Sequence, residues 1–220
     1  METSLHQQLK IHYAGSDANT EVAFGRYRID AVRGDELIEI QCASLSAISR
    51  KINALLKRHR VRVVKPVIVR TRIAKKARAN GKVQSRRMSP KRGDVLDLFD
   101  DLIYFTNVFP HENLCLEVAL VHVEQTRIPA KNRRRRWRQD YRVTDVSLEQ
   151  IESTLELQHC ENLLTLANVD TNVDCFTTKE LAIWTNRPRW FAQKIAYVLK
   201  HTGSIKQVAR KRNGIIYQAA

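Results

Sequence analysis

Along residues 22–73, apolar segments typical of strands alternate with a segment whose apolar residues have the spacing of a helix. This alternation limits the fold of the chain more than any other feature. Short apolar runs over 29–32 and 37–41 flank an Arg-Gly-Asp-Glu turn sequence, which predicts paired strands. Apolar residues then recur every three or four positions over 43–59 and predict a helix. The β-branched run over 61–73 predicts a further strand. With a short amphipathic helix before them, these elements are typical of an α/β domain.

The elements on either side of this segment are predicted from weaker patterns. Helical spacing of leucines predicts the first helix over 3–13. The basic residues 75–92 are expected to form a loop or a frayed helix, and the apolar, acidic residues 94–108 a helix. A strand is predicted over 114–123 and a helix over 147–166.

The last forty-five residues predict a different unit. A capping box at Thr177 and Glu180 starts a short helix over 179–184, and Pro188 suits the first turn of a second helix that ends near His201. The second helix has an apolar face made of Trp190, Phe191, Ile195, Val198 and Leu199. An Asn-Gly turn then predicts a hairpin. Helix, turn, helix and hairpin is the order of a winged helix-turn-helix.

The distribution of charge predicts a polyanionic partner. The formal net charge is +15, and residues 40–93 contain seventeen Lys and Arg but no Asp or Glu. A second basic block over 133–138 contains a tryptophan. Solvated surfaces normally mix both signs because like charges repel, whereas lysine and arginine bind the phosphates of nucleic acid by releasing counterions. The chain is therefore expected to bind nucleic acid, with DNA favoured.

The candidate phosphate contacts fall in three parts of the chain. They are Arg50, Arg86 and Arg87 in the acid-free stretch, Arg133, Arg134, Arg135 and Arg136 in the second block, and Arg189, Lys194, Lys211 and Arg212 in the C-terminal unit. No membrane partner is expected, because the basic residues do not alternate with a stripe of large apolar residues. A homodimer is left open.

Cysteine use and the N-terminal residues favour a cytoplasmic protein. The first thirteen residues lack the apolar run of a signal peptide, and no later stretch is apolar enough to span a membrane. The four cysteines lie far apart without a C-x-x-C pair, so neither a disulfide framework nor a zinc ribbon is expected.

Two carboxylates stand inside apolar strands and carry the chemical prediction. Asp30 is flanked by Ile29 and Ala31, and Glu39 by Ile38 and Ile40. A carboxylate in such a place is costly unless it is paired, hydrogen-bonded or bound to a cation. If the two strands pair across the turn, Asp30 lies close to Glu39. Two carboxylates and a strand carbonyl make a hard oxygen site suited to Mg²⁺ or Mn²⁺, which polarises a phosphate and activates water.

Asp30, eight intervening residues and then Glu39-x-Gln41, followed by a helix and a strand, resemble the PD-(D/E)XK nuclease superfamily. The resemblance implies a restriction-endonuclease-like core of αβββαβ order, with Asp30, Glu39 and the main chain of Ile40 as metal ligands. It also implies that Glu2 is a candidate for the acidic residue often added near the first helix.

Gln41 departs from the superfamily pattern because it stands where lysine is usual. Some members carry glutamine at this place, and others recruit a lysine from the following helix. Lys51 is the predicted replacement, with Lys57 and Lys65 left open. Such a cation stabilises negative charge on the phosphate or orients the water.

These predictions divide the chain into a nuclease-like core over 1–125, a basic linker with a helix over 126–170, and a winged-helix-like domain over 171–220. The function they favour is metal-dependent hydrolysis of DNA, with Asp30, Glu39, Gln41 and Lys51 as catalytic residues. Two alternatives stay open: a DNA-binding regulator with a degenerate nuclease fold, and an RNA-binding factor that uses the arginine block. In the plainest alternative for the carboxylates, Asp30 pairs with Arg28 and Glu39 with Lys51 or Arg50 as ordinary ion pairs.

Overall fold

The computed structural model describes residues 3–15, 19–130, 140–212 and 214–220. The helices are α1 (Ser4–Ala14), α2 (Ser49–Leu56), α3 (Phe99–Leu102), α4 (Cys160–Leu166), α5 (Thr178–Trp184) and α6 (Arg189–His201). The strands are β1 (Asn19–Phe24), β2 (Tyr27–Arg33), β3 (Glu36–Ile40), β4 (Arg60–Lys76), β5 (Val83–Met88), β6 (Leu114–Pro129), β7 (Tyr141–Leu157), β8 (Ile205–Lys211) and β9 (Gly214–Ala219). A 3-10 turn precedes α2 at Leu45–Ala47 and another precedes α3 at Val95–Leu98.

A seven-stranded mixed sheet forms the centre of the molecule and confirms the predicted α/β class. Its strands lie in the order β1-β2-β3-β4-β6-β7, and β5 also pairs with β4. β4 runs parallel to β3 and β6, and the other pairs of this sheet are antiparallel. α2 makes the crossover between the parallel strands β3 and β4, which a tight turn cannot connect.

Helices cover both faces of this sheet. On one face, Leu5 and Leu9 of α1 pack in one cluster with Ile38 and Ile40. On the other face, the apolar side of α2 joins a larger core that also takes in α3, α4, α5 and α6. The C-terminal helices therefore share one apolar core with the sheet. No helix among the described residues is long and apolar enough to cross a membrane.

The predicted helix over 147–166 is wrong for most of its length. Residues up to Leu157 belong to β7, which pairs with β6, and only α4 is helical. The pairing register skips a residue of β7 between Ser153 and Ile151, and again between Gln150 and Leu148. The bulge between Gln150 and Leu148 adds one residue to the strand, so Leu148 and Ile151 face the same side three residues apart, as they would on a helix. Leu155 pairs with Val118 and faces the other side of the sheet. Among the described residues of the expected linker over 126–170, most thus belong to the central sheet.

Two other segments differ from the prediction. The expected loop or frayed helix over 75–92 contains the strand β5, and β4 extends to Lys76 to pair with it. Nearly all of β5 is exposed, so it shows no apolar alternation that the sequence could reveal. The expected helix over 94–108 is a 3-10 turn and a single α-helical turn.

The C-terminal elements follow the predicted order. The side chain of Thr177 caps α5, with Glu180 as the reciprocal partner, and Pro188 precedes α6. β8 and β9 form the hairpin. Trp190 is the exception: it was assigned to the apolar face, but its side chain is 58% exposed. Phe191 and Ala192 are the buried residues at the start of α6, and Trp190 lies just outside the face that they begin.

Candidate active site

The predicted carboxylates lie side by side, with Asp30 in the middle of β2 and Glu39 one residue before the end of β3. The antiparallel register sets Ala31 opposite Ile38, so Asp30 and Glu39 come next along the two strands. Oδ2 of Asp30 accepts a hydrogen bond of 2.8 Å from the backbone N–H of Ile40. The sequence prediction that the two strands bring these carboxylates together is thus what the structure shows.

Asp30 faces α1, which supplies two basic side chains. Nε2 of His6 lies 3.3 Å from Oδ2 of Asp30, and Nζ of Lys10 lies 3.9 Å from Oδ1. Burial raises the pKa of Asp30, but the hydrogen bonds from His6 and Ile40 and the nearby positive charge outweigh it, so the pKa is lowered. Asp30 is therefore held as a carboxylate.

Glu39 faces α2 and is more deeply buried, with 8% of the residue exposed. Nζ of Lys51 lies 2.6 Å from its Oε2 and also donates to the carbonyl of Arg28. Burial raises the pKa of Glu39, and the charge of Asp30 raises it further; the contact with Lys51 opposes both but does not cancel them. The two neighbouring carboxyl groups therefore have pKa values displaced in opposite directions.

Of the candidate cations, Lys51 is the one that reaches Glu39. Lys65 is buried, with its Nζ 2.8 Å from Oδ2 of Asp101 and 2.7 Å from the carbonyl of Ala43. Lys57 follows the last residue of α2 and is exposed. Lys51 is the predicted position, and its contact with Glu39 is also the ion pair expected in the plainest alternative.

Gln41 is engaged by main-chain groups. Its Nε2 donates to the carbonyl of Ser44 at 2.6 Å, and its backbone N–H donates to the carbonyl of Val64 at 2.9 Å. The carbonyl of Ile40, the predicted main-chain ligand, lies 2.9 Å from Nε2 of His6. Gln41 thus holds the loop after β3, while His6 contacts both Asp30 and this carbonyl.

The oxygen donors at this place suit a hard divalent ion only in part. Two carboxylates and one carbonyl are of the right chemistry for Mg²⁺ or Mn²⁺. However, within the described part of the chain no three His, Cys, Asp or Glu side chains converge as a metal-binding group. His6 and Lys51 contact the same oxygens, so an ion would have to replace some of these contacts.

The predicted phosphate contacts meet different surroundings. Arg50, Arg87, Lys211 and Arg212 are exposed, and so is Arg189, whereas Arg86 pairs with Glu124 at 2.8 Å. Lys194 pairs with Asp100 of α3 at 2.7 Å and lies over the ring of Trp190, so it joins α6 to the core. Arg133 to Arg136, and Glu2, lie outside the described residues.

His6 and Lys10 were missed as site residues by the sequence prediction. They lie four residues apart on α1 and so share one face of the helix, which is a signal that the sequence does contain. A second missed group surrounds Arg62, which contacts Glu117 and Glu156 at 2.5 Å each and Glu36 at 3.0 Å. Arg62 lies on β4 and its three partners on β3, β6 and β7, and nothing local in the sequence connects these four residues.

The structure defines a mixed α/β protein in which two neighbouring strands of the central sheet, β2 and β3, each carry a carboxylate of the candidate site. The family described as domain of unknown function DUF8091 matches residues 3–158, which run from α1 to the end of β7, and the chain belongs to that family. A protein from Treponema pallidum, described as uncharacterized, is 28% identical over 159 residues, which cover 72% of this chain and 62% of that protein. No solved structure matches this chain.

Proposed function

We propose that this protein is a metal-dependent nuclease of the PD-(D/E)XK type that hydrolyses phosphodiester bonds in DNA. The observation that carries the proposal is the buried Glu39, which lies beside Asp30 and in contact with Lys51. Two carboxylates with oppositely displaced pKa values next to a lysine are typical of catalytic sites and unusual in a sheet interior. The order α1-β1-β2-β3-α2-β4, with β3 parallel to β4, also suits the core of that superfamily.

In this proposal Asp30, Glu39 and the carbonyl of Ile40 hold Mg²⁺ or Mn²⁺. The ion, when bound, supplies charge stabilisation at the phosphate and an activated water. Asp30 contributes as a carboxylate because its pKa is lowered. Lys51 is released from Glu39 to stabilise negative charge on the phosphate, and its place on a helix packed against the sheet keeps it within reach.

The C-terminal elements suit a winged helix that holds the DNA. α4, a single bridge between Phe176 and Tyr217, α5, α6 and the β8–β9 hairpin follow one another in the order of that fold. α6 would be the groove-facing helix and the hairpin the wing. Arg189, Gln193 and Lys200 on the outer face of α6, with Lys211 and Arg212 near the hairpin end, are exposed.

A second function, DNA binding without cleavage, is favoured by one observation. Lys51 and His6 already contact the carboxylate oxygens that a metal ion would need, and Gln41 is held by the main chain. In that case the site is a structural ion-pair cluster, and the basic surfaces carry the whole function. The two functions differ in whether Asp30 and Glu39 are needed for chemistry.

A plasmid-nicking assay with Mg²⁺ or Mn²⁺ separates them. Asp30→Asn and Glu39→Gln are expected to lower the cleavage rate by about a hundredfold or more while they keep DNA binding. Asp35→Asn is the matched control, because Asp35 lies in the turn between the same two strands and its side chain is 78% exposed. Cleavage that survives both site substitutions contradicts the nuclease. No cleavage by the unaltered protein, with salt-dependent binding intact, supports the second function.

A further inference from the structure

A row of basic residues leads away from Asp30 and Glu39 along one side of β4. β6 pairs with β4 from Val61 to Lys75, so it occupies the other side. On the free side, β3 covers the start of β4, and its continuation ends where the N–H of Gln41 meets the carbonyl of Val64. β5 covers the far end of the same side, from Arg72 to Lys76. β3 and β5 therefore follow one another along a single edge.

The segment between β5 and α3 lies along part of the stretch of β4 that neither β3 nor β5 covers. The N–H of Ser89 donates to the carbonyl of Thr71 at 2.8 Å, and the N–H of Gly93 to that of Val69 at 3.3 Å. A Cβ at Gly93 would lie 2.3 Å from the carbonyl oxygen of Ile68, so only glycine lets the chain lie so close. Residues 89–93 are thus held against β4 and run along it in the direction of Val64, which pairs with Gln41.

The part of this edge that residues 70–92 form has a single sign of charge. Residues 70–92 contain ten Lys and Arg and no Asp or Glu. Five exposed side chains, here called the cationic edge, are Arg78, Lys82, Arg87, Lys91 and Arg92. Among the described residues, none of these five has a carboxylate within salt-bridge distance, whereas Arg72 and Arg86 pair with Glu149 and Glu124. Cations left without partners in a row along one edge repel each other unless an anion lies along them.

The chemistry of the edge favours a duplex. Proteins that hold single strands stack the bases on aromatic side chains, and residues 70–92 contain no Phe, Tyr or Trp. A row of Lys and Arg on an exposed strand instead suits the phosphates of a paired helix. The cationic edge is therefore fitted to a backbone and not to unpaired bases.

We propose that duplex DNA lies along the cationic edge, from the carboxylate site to the turn between β4 and β5. The distance follows from the register: twelve residues of β4 separate Val64, beside Gln41, from Lys76, the last to pair with β5. At about 3.3 Å per residue this is about 40 Å, which equals about 12 base pairs of B-form DNA at 3.4 Å each. The inference rests on the proposed function, because it takes the carboxylate site as one end of the bound DNA. It adds where the duplex lies and how many base pairs it must extend beyond that site.

Binding is measured without divalent ions, so that the test does not depend on cleavage. Fluorescence anisotropy with a labelled 24-base-pair duplex is followed from 50 to 300 mM salt for the double variant Arg87→Gln, Lys91→Gln. The matched control is Lys57→Gln, Arg58→Gln, which removes the same charge from exposed residues before the start of β4. Circular dichroism verifies that each variant is folded.

Loss of two phosphate contacts is expected to lower the slope of log K against log salt by about 1.8, and to weaken binding about tenfold or more at 0.1 M salt. The control is expected to keep the slope of the unaltered protein. If the two variants have equal slopes of log K against log salt, the proposal that DNA binds the cationic edge is wrong, whatever the plasmid assay shows. If the edge variant loses as much affinity for a single strand or for an RNA duplex as it does for duplex DNA, the assignment to duplex DNA is wrong.

The duplex length gives a second readout. Affinity is expected to rise from 8 to about 12 base pairs beyond the site and to gain little after that. A protein that never cuts, but loses duplex binding in the edge variant, contradicts the nuclease and leaves the cationic edge supported. A protein that cuts duplexes with only 4 base pairs on either side of the cut as fast as long ones overturns the edge and leaves the nuclease supported.

Discussion

Removing the charge of Lys51 should destabilise the protein through Glu39, and the structure gives the size of the effect. In Lys51→Met the ammonium that lies 2.6 Å from Glu39 is lost, while the apolar part of the side chain is retained. The side chains of Lys51 and Glu39 are 17% and 10% exposed, so water replaces the lost partner poorly. Breaking a buried ion pair on one side costs about 3 kcal/mol, because the remaining charge is left uncompensated.

The loss should depend on pH in a defined direction. Glu39 already has a pKa raised above its ordinary value of 4.5, mainly by burial. A carboxyl group whose pKa is higher in the folded state binds protons better when folded, so it stabilises the fold at low pH and this contribution is lost as pH rises. Without Lys51 the pKa rises further, so the deficit of the variant should be small near pH 4 and complete at pH 8.

Thermal denaturation followed by tryptophan fluorescence measures this deficit. At pH 8 the melting temperature of Lys51→Met is expected to fall by about 6–12 °C, the range for 3 kcal/mol in a chain of this size. Adding Glu39→Gln should restore most of the loss, since the neutral amide needs no counter-charge. Arg50→Met removes the same charge from the exposed neighbour on α2 and should shift the melting temperature by about 2 °C at most. A loss unaffected by Glu39→Gln, or equal at pH 4 and pH 8, would refute the reasoning.

Three further outcomes are expected. Arg62→Met should lower the free energy of unfolding by about 3 kcal/mol in urea, because it leaves the buried carboxylate of Glu117 uncompensated; a loss below 1 kcal/mol would show that the network is weak. Gly93→Ala should cost about 1–3 kcal/mol in the same assay, since the added methyl group meets the carbonyl of Ile68; an unchanged stability would mean that the segment can move away. Asp30→Asn should be less stable than the unaltered protein at pH 7, and the difference should close as pH falls below about 3.8. The lowered pKa of this carboxyl group stabilises the fold only while the group is ionised, and thermal denaturation between pH 3 and 7 shows the trend.

Much of the candidate site follows from sequence because its parts are local. A four-residue turn between two apolar strands leaves one natural antiparallel register, and that register places Asp30 beside Glu39. Lys51 is a candidate from the sequence only because the resemblance places a lysine on the helix after β3, and the structure decides between it, Lys57 and Lys65. The C-terminal helices and hairpin have strong local signals, such as the capping box at Thr177, and they appear where predicted.

Other features depend on contacts between distant parts of the chain. His6 reaches Asp30 only because α1 packs across the face of the sheet, and a histidine on a short helix has no local signal of a partner 24 residues away. The bulges that change the apolar spacing of β7 are formed only by its pairing with β6, so the sequence of β7 alone does not reveal them. The exposure of Trp190 is likewise decided by which face of α6 meets the core.

The sequence by itself determines the elements with a regular apolar period and the two carboxylates that those strands carry. Periodicity expresses the alternation of buried and exposed positions along one element, so it can be recognised without knowing the neighbours. Only the tertiary structure decides which charges meet, that His6 and Lys51 contact the two carboxylates, and that β5 and residues 89–93 lie along one side of β4. Those relations are set by strand order and helix packing, which join residues that the chain itself keeps far apart.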